Sequence, residues 1–168
     1  ALCSPTRACL LTGRNHPSVG MRALSNFDTG FPNMRGRIVA SAGTLAEVLH
    51  EEGFATFAVG KWHLTPMRAA SADGPFTDWP LQKGFDRFYG FMQGETDQFH
   101  PELSEDNRPA AVPYTPGEGY HVSEDLVDQA IGMVRTKASL VPERPFFLYL
   151  AFGATHAPHQ APDAYLEK

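Results

Sequence analysis

The run FFLYLAF, residues 146–152, decides the expected fold, because it is continuously apolar and has the length of one β-strand. A second run, FATFAVG, occupies residues 54–60 and ends at a glycine. Strands that are buried on both faces are continuously apolar in this way, and they are typical of parallel sheets covered by helices. We therefore expect the run at 146–152 to be a fully buried strand.

A short helix is predicted near the start of the chain, over residues 5–12. Pro5 is well suited to the first helical turn, where the missing N–H has no partner to lose, and few breakers follow until Gly13. Cys3 would then lie just before a helix N-terminus.

Two further helices are predicted, one before each apolar strand. Thr44 and Glu47 form a capping-box pattern at the start of residues 45–52, and Ser123 is the expected N-cap of a second helix. The apolar residues expected to share a face are Leu45, Val48 and Leu49 in the first helix, and Leu126, Val127, Ala130, Ile131 and Val134 in the second.

Two long segments lack sustained periodicity. Residues 14–40 carry clusters of Gly, Pro, Asn and Asp, which predict a loop. Residues 65–120 are rich in Pro, Gly and aromatic side chains and are too long for a simple connection, so we expect an irregular excursion of the kind that often carries function.

The order of these elements predicts an α/β fold with a mainly parallel sheet sandwiched by helices. Ligands of such sheets bind beyond the carboxyl ends of the strands. Lys61 and His63 follow the first apolar run and, in an extended chain, would project to the same side. Two other polar clusters are expected at this edge: Cys3 with Arg7 near the first helix, and His156 with His159 after the second run.

Composition limits the classes of function. The chain has 168 residues, is 42% hydrophobic and carries a formal net charge of −5, so it suits one globular core and offers no basic face for nucleic acid. No run approaches the roughly 18 apolar residues of a membrane helix, and no leader precedes Cys3.

Because the chain opens without Met, we expect it to be a partial chain. Cys3 and Cys9 fit neither a zinc pattern nor a disulfide with each other.

The three polar clusters predict an anion site. Arg7, Lys61 and a helix N-terminus all favour negative charge, which indicates a substrate with a tetrahedral oxyanion. Histidines can move protons near neutral pH, and a cysteine beside cations can act as a nucleophile. The residues alone therefore indicate transfer or hydrolysis of a phosphate or a sulfate ester. A cysteine phosphatase is disfavoured, because its arginine follows the cysteine by six positions and Arg7 follows Cys3 by four.

Four motifs resemble those of the type I sulfatases, in the order found in that family. CSPTR at residues 3–7, continued by LTGR at 11–14, resembles the family signature, and GFATFAVGKWHL at 53–64 resembles the second signature. KGFDRFYGF at 83–91 is similar to a common family segment, and ATHAPHQAP at 154–162 to the histidine motif of bacterial arylsulfatases. The resemblance implies an alkaline-phosphatase/sulfatase-like fold.

The same resemblance implies a modified nucleophile at Cys3. In these sulfatases a formylglycine-generating enzyme reads the motif and oxidises its cysteine to Cα-formylglycine. One hydroxyl of the hydrated aldehyde attacks sulfur, which gives a covalent sulfo-enzyme intermediate, and the other hydroxyl later expels sulfate. The implied function is hydrolysis of a sulfate monoester carried by a small molecule or a glycan.

Catalytic roles for four further residues follow from the resemblance. Arg7 would hold and polarise the formylglycine hydrate, and Lys61 would contact the sulfate oxygens. His63 would take the proton of the second hydroxyl, and His156 would help to protonate the leaving oxygen. Lys61 and His156 are thus also expected to bind substrate. His159 is left outside the catalytic set.

The family also binds a divalent cation, usually calcium, through oxygen ligands that include the formylglycine at the position of Cys3. The family's paired aspartates precede the cysteine motif, and its Asp-Asn pair and second lysine follow the histidine motif, so none of them has a match here. Asp97, Asp106 and Asn107 match no motif and are not nominated as ligands. We therefore expect residues 1–168 to be an incomplete N-terminal catalytic domain that is inactive alone.

Two alternatives stay open at this point. A phosphonate monoester or phosphodiester hydrolase of the same superfamily could carry the same cysteine motif. The chain could also be an inactive, truncated relative kept as a binding or structural domain, although the joint presence of all five site residues argues against decay of the parent protein. The patterns are compatible with a periplasmic, a secreted or a cytoplasmic protein.

Overall fold

The structure is a computed structural model that describes residues 2–113 and 119–166. The helices are α1 (Cys3–Thr12), α2 (Leu45–Glu51), α3 (Val122–Leu140) and α4 (Asp163–Leu166). The strands are β1 (Ala55–Lys61), β2 (Arg87–Phe91), β3 (Leu103–Glu105), β4 (Arg108–Ala110) and β5 (Phe146–Ala151). Short 3-10 turns lie at His16–Val19, Met67–Ala69 and Pro80–Lys83.

The described strands form one mixed sheet in the order β4-β3-β2-β1-β5. β1 lies at its centre and pairs in parallel with β2 on one side and with β5 on the other. β3 and β4 extend the sheet beyond β2 as antiparallel strands. The predicted α/β class with a parallel centre is confirmed, and the antiparallel extension was not expected.

Helices cover both faces of this sheet. Neighbouring residues of β1 point to opposite faces, so that Ala58 packs with α1 and α2 while Val59 packs with α3. The buried helical residues include Ala8 and Leu11 of α1, Ala46 of α2, and Val122, Leu126 and Ala130 of α3. The predicted sandwich of helices around the sheet is therefore confirmed.

Glycines allow the carboxyl ends of the three parallel strands to approach closely. Gly60 of β1 is paired with Gly90 of β2 and with Ala151 of β5. A Cβ atom on Gly90 would overlap the carbonyl oxygen of Gly60, and one on Gly60 would overlap that of Ala151. The backbone contacts therefore require glycine at both positions, and Gly60 directly precedes Lys61 at the end of β1.

The expectation of an irregular excursion over residues 65–120 is wrong in part. This segment contains β2, a strand of the parallel centre, together with β3 and β4. β2 has only five residues, too few to show periodicity in the sequence, and long-range pairing with β1 stabilises it. Much of the rest of the segment consists of turns and 3-10 helix, as expected.

The expectation that the run at 146–152 is fully buried is wrong for the described structure. β1 is buried along its whole length, whereas in β5 only Tyr149 is buried and Phe146 and Leu150 are 43% and 37% exposed. The physical reason is position: among the described residues β5 pairs with β1 alone, and its second edge has no strand beside it.

The short helix α1 was predicted two residues too late. It begins at Cys3, so this residue opens the helix and does not precede it. Both cysteines are free, as the spacing predicted. Residues 14–40 form the expected loop, apart from one 3-10 turn and an isolated bridge between Met21 and Met34.

The capping box of α2 is confirmed, but its apolar face is not. Thr44 and Glu47 exchange both hydrogen bonds of the box. Leu45 and Val48 are nevertheless 42% and 56% exposed. Gly84 lies so close to α2 that a Cβ atom on Gly84 would overlap the backbone of the helix. The helix therefore packs through its own backbone and the side chain of Ala46.

Helix α3 is present as predicted, but with a different cap. The N-cap is His121, whose ring nitrogen accepts a hydrogen bond from the N–H of Ser123. Ser123 therefore lies inside the first turn. Of the predicted apolar face, Leu126 and Ala130 are buried, while Val127 and Ile131 lie at the exposed margin. No helix within residues 2–113 and 119–166 has both the length and the apolarity to cross a membrane.

Candidate active site

Cys3 and His63 meet at the carboxyl edge of the sheet. The Sγ atom of Cys3 lies 3.1 Å from Nδ1 of His63, although the residues are 60 positions apart. Cys3 comes from the first turn of α1, whose N–H groups favour negative charge. The predicted convergence of the cysteine motif with the residues after β1 is thus seen in the structure.

The route by which His63 reaches this site differs from the expectation. The strand ends at Lys61, and His63 has a φ of 52°, in the left-handed region that non-glycine residues seldom adopt. Its N–H donates to the carbonyl oxygen of Met92 at 3.1 Å, beyond the end of β2. The extended chain on which the expectation of a shared side depended does not continue through His63, yet the side chains of Lys61 and His63 both interact with Cys3.

Arg7 ties the helix to two strands. Its Nη1 atom donates to the carbonyl oxygen of Lys61 at 2.8 Å and to the hydroxyl oxygen of Tyr149 at 2.8 Å. Its Nε atom is buried and has no partner among the described residues. The guanidinium group therefore holds α1 against β1 and β5.

Lys61 is a buried cation, with 3% of its surface exposed. Burial lowers the pKa of its ammonium group below the ordinary value of 10.5, and the neighbouring Arg7 lowers the pKa further. Interaction with Cys3 opposes this shift. Such a cation favours an anionic partner, because an anion would restore the interactions that burial removes.

His63 is poised as a neutral imidazole. Burial is the main cause that lowers its pKa from 6.5 to about 4, with the positive charges of Lys61 and Arg7 adding to the effect. At neutral pH the ring is therefore unprotonated at one nitrogen and can accept a proton.

His156 lies at the open side of the site. Its side chain is exposed, and Nδ1 is 2.9 Å from the carbonyl oxygen of Ala157 and 3.5 Å from the carboxylate of Glu95. It is near enough to His63 for its charge to lower the pKa of that residue. His159 is exposed as well. The structure thus brings together four predicted residues closely and His156 at their margin.

Sequence reasoning missed Asn26 and Tyr149. The Oδ1 atom of Asn26 accepts a hydrogen bond from Nε2 of His63 at 2.8 Å. Asn26 lies in the aperiodic segment 14–40, and Tyr149 lies inside an apolar run, so neither carries a local signal of function. Only the long-range contacts identify them.

The described residues do not fit a calcium site. No cluster of three or more His, Cys, Asp or Glu side chains suited to a metal occurs within residues 2–113 and 119–166. The charged groups nearest Cys3 are the cations Arg7 and Lys61, whereas calcium requires about six to eight oxygen ligands. Asp97 accepts a hydrogen bond from Gln160 and Asp106 accepts one from Arg87, so neither carboxylate belongs to a cluster of this kind.

Comparison with known proteins identifies the family of this chain. The Sulfatase family model matches residues 1–168. The chain is 32% identical to the uncharacterized sulfatase YdeN of Escherichia coli over 96% of this chain and 29% of YdeN. It is 27% identical to an arylsulfatase of Klebsiella aerogenes over 99% of this chain and 36% of that protein.

A solved structure shows the same fold. The chain superposes on the crystal structure of Ps i-CgsB with a TM-score of 0.77 and 27% identity, covering 98% of this chain and 37% of that one. A second structure of that protein contains k-i-k-neocarrahexaose. The chain spans about a third of the length of the curated relatives that it matches. On the family match over its whole length, the chain belongs to the sulfatase family.

Proposed function

We propose that the protein to which this chain belongs hydrolyses sulfate monoesters through a formylglycine made from Cys3. The observation that carries the proposal is the cluster at the sheet edge, where Cys3 contacts His63 while Arg7 and Lys61 supply two cations. A nucleophile, a neutral base and an anion-binding pair are the parts required by attack of a hydroxyl group at sulfur, followed by elimination of sulfate from the enzyme.

The proposed chemistry begins with the hydrated aldehyde at Cys3, for whose hydroxyl groups the Sγ atom stands in here. One hydroxyl attacks the sulfate sulfur and releases its proton to solvent, and the bond from sulfur to the ester oxygen breaks as that oxygen gains a proton with the help of His156. His63 then takes the proton of the second hydroxyl. The resulting oxyanion expels sulfate and re-forms the aldehyde, which water hydrates again.

The two cations would act on the sulfate and on the nucleophile. We assign Lys61 to the sulfate oxygens, because a buried ammonium beside Cys3 gains most from an anion there. Arg7 would hold and polarise the hydrate through the donor capacity that its bonds to Lys61 and Tyr149 leave free. Both roles need the cations to be held in place before substrate arrives, and the guanidinium group of Arg7 is held by its bonds to Lys61 and Tyr149.

The proposed substrate is a sulfate monoester of a small molecule or a glycan. Similarity to Ps i-CgsB, whose structure holds k-i-k-neocarrahexaose, supports a glycan. A formylglycine-generating enzyme is the proposed partner during maturation, because the motif CSPTR at residues 3–7 is intact. Sulfatases generally imply calcium, but the described residues supply no calcium cage, so no step of this proposal depends on the ion.

The test uses the full-length protein, expressed with a formylglycine-generating enzyme. Peptide mass analysis should find formylglycine at Cys3, and 4-nitrophenyl sulfate should be hydrolysed, while a Cys3→Ala variant should be inactive. An unmodified thiol together with no turnover would contradict the proposal. Faster hydrolysis of bis(4-nitrophenyl) phosphate than of the sulfate ester would instead indicate a phosphodiester hydrolase.

A further inference from the structure

Both ring nitrogens of His63 have a partner. Nδ1 lies 3.1 Å from Sγ of Cys3, and Nε2 lies 2.8 Å from Oδ1 of Asn26. A carboxamide oxygen carries no hydrogen, so Nε2 must be the protonated nitrogen in this contact. In a neutral imidazole, Nδ1 is then the unprotonated nitrogen, and its lone pair faces Cys3.

Asn26 is anchored to the helix that carries the nucleophile. The N–H of Ser25 donates to Oγ of Ser4 at 3.1 Å, and both serines are buried. Ser4 directly follows Cys3 in α1. A Cβ atom on Gly36, at a φ of 65°, would clash with the carbonyl oxygen of Ser25, so the loop backbone is closely packed at this point. The position of Asn26 is therefore coupled to the position of Cys3.

The His63 ring is also confined near its Cε1 atom. A Cβ atom on Gly94 would lie 2.6 Å from Cε1 and 2.9 Å from Nε2 of the ring, so only glycine leaves room there. The backbone of His63 is itself held in the left-handed region by its bond to Met92. These contacts confine the ring, and Asn26 is the group that contacts Nε2.

We propose that Asn26 is a positioning residue that keeps His63 in the tautomer protonated at Nε2. This proposal rests on the proposed function, in which a hydroxyl group takes the place of Sγ of Cys3. With the proton held at Nε2, Nδ1 accepts the proton of that hydroxyl. Without Asn26 the proton can reside on Nδ1, and a ring protonated there donates to the hydroxyl and cannot accept from it.

Kinetics of the full-length protein test the proposal. Asn26→Ala should lower kcat by roughly 10- to 100-fold, the range found for partners that orient histidine ligands, with little change in KM. Asn26→Asp keeps an acceptor oxygen at this position and should therefore retain most of the kcat of the unaltered protein. Asn33→Ala is the matched control, since Asn33 is exposed in the same loop, and it should change neither constant.

Nitrogen NMR of histidine-labelled protein reads the tautomer directly. The His63 signals, identified by their loss in His63→Asn, should show a protonated Nε2 in the unaltered protein and in Asn26→Asp. In Asn26→Ala they should show a shift of proton occupancy toward Nδ1.

Unchanged kcat in Asn26→Ala, an unchanged tautomer in that variant, or an Asn26→Asp variant as slow as Asn26→Ala would each overturn the proposal. Absence of sulfate ester turnover in the unaltered protein would refute the proposed function, whereas the tautomer spectra would still decide the role of Asn26.

Discussion

Lys61 is a residue whose burial opposes its charge. The ammonium group is almost removed from water, and burial lowers its pKa, which means that the folded state disfavours the charged form. A fold that keeps such a group gains little stability from it. The free-energy cost of burying this charge is consistent with a role in binding a negatively charged group, as we propose for the sulfate.

Replacement of Lys61 should therefore separate activity from stability. We expect Lys61→Met in the full-length protein to lower kcat for 4-nitrophenyl sulfate by roughly 100- to 1,000-fold, the loss found when one group that stabilises transition-state charge is removed. The free energy of unfolding, measured with urea, should stay equal or rise, because an apolar side chain of similar length replaces a buried charge. Arg135→Met, on the exposed surface of α3, is the control that should change neither quantity. Turnover by Lys61→Met at the unaltered rate would contradict the assignment.

At the scale of elements, the two predicted helix caps have different outcomes. Thr44 accepts from the N–H of Glu47 and donates to the carbonyl oxygen of Lys83 at 2.7 Å, so it joins α2 to the turn before β2. Ser123, which looks like a cap in the sequence, leaves that role to His121. The two residues should therefore respond differently to the same substitution.

We expect Thr44→Ala to lower the free energy of unfolding by about 1–2 kcal/mol, because both a cap bond and a buried tertiary bond are lost. Ser123→Ala, as the matched variant, should stay within about 0.5 kcal/mol of the unaltered protein. Urea unfolding of the two variants checks both expectations. Equal effects would mean that Ser123 caps α3 after all.

Asp28 stabilises the loop at residues 14–40 through hydrogen bonds to two arginines. Asp28 accepts from Arg68 at 2.8 Å and from Arg35 at 3.2 Å. The bond to Arg68 is the main cause that lowers the pKa of Asp28 from 3.8 to about 2, followed by the bond from the N–H of Gly30. Asp28 therefore stabilises the folded state while it is ionised.

The sign of the resulting pH dependence follows from these two pKa values. Ionised Asp28 contributes stability above pH 3.8, the value in the unfolded chain, and the contribution is lost as the pH falls toward about 2. Asp28→Asn should therefore lower the free energy of unfolding at pH 7, and the difference from the unaltered protein should shrink below pH 4. Unfolding of both proteins over this pH range is the measurement, with exposed Asp73→Asn as the control. A difference that grows in acid would contradict the ion pairs.

For the whole molecule, one edge of the sheet is apolar and uncovered among the described residues. β5 exposes Phe146 and Leu150, and beside it Leu2, the N-cap of α1, and Leu10 of α1 are 53% and 64% exposed. The chain also spans about a third of its curated relatives, and its described residues lack a calcium cage. We therefore expect residues 1–168 alone to be poorly folded and inactive.

The isolated chain tests this expectation. Purified residues 1–168, with Cys3 converted to formylglycine, should hydrolyse 4-nitrophenyl sulfate in the presence of calcium no faster than a Cys3→Ala control. Calcium should bind weakly at best, because the described residues offer too few oxygen ligands. Turnover clearly above the control would show that the site is complete within this chain.

The sequence by itself determined the elements whose signals are local and the motifs that name the family. The capping box at Thr44, the periodicity of α3 and the apolar run of β1 each depend on residues close in the chain, and all three elements are present. The four motifs likewise indicated the sulfatase family, which the comparison confirmed.

Only the tertiary structure decided what depends on distant partners. β2 is a strand because β1 pairs with it, and β5 is half-exposed because it lies at an edge. Asn26 is 37 positions from the His63 ring that it contacts, and no periodicity links them. Helix and strand signals act over a few residues, whereas burial, charge and hydrogen bonding in a site depend on which distant segments the fold places side by side.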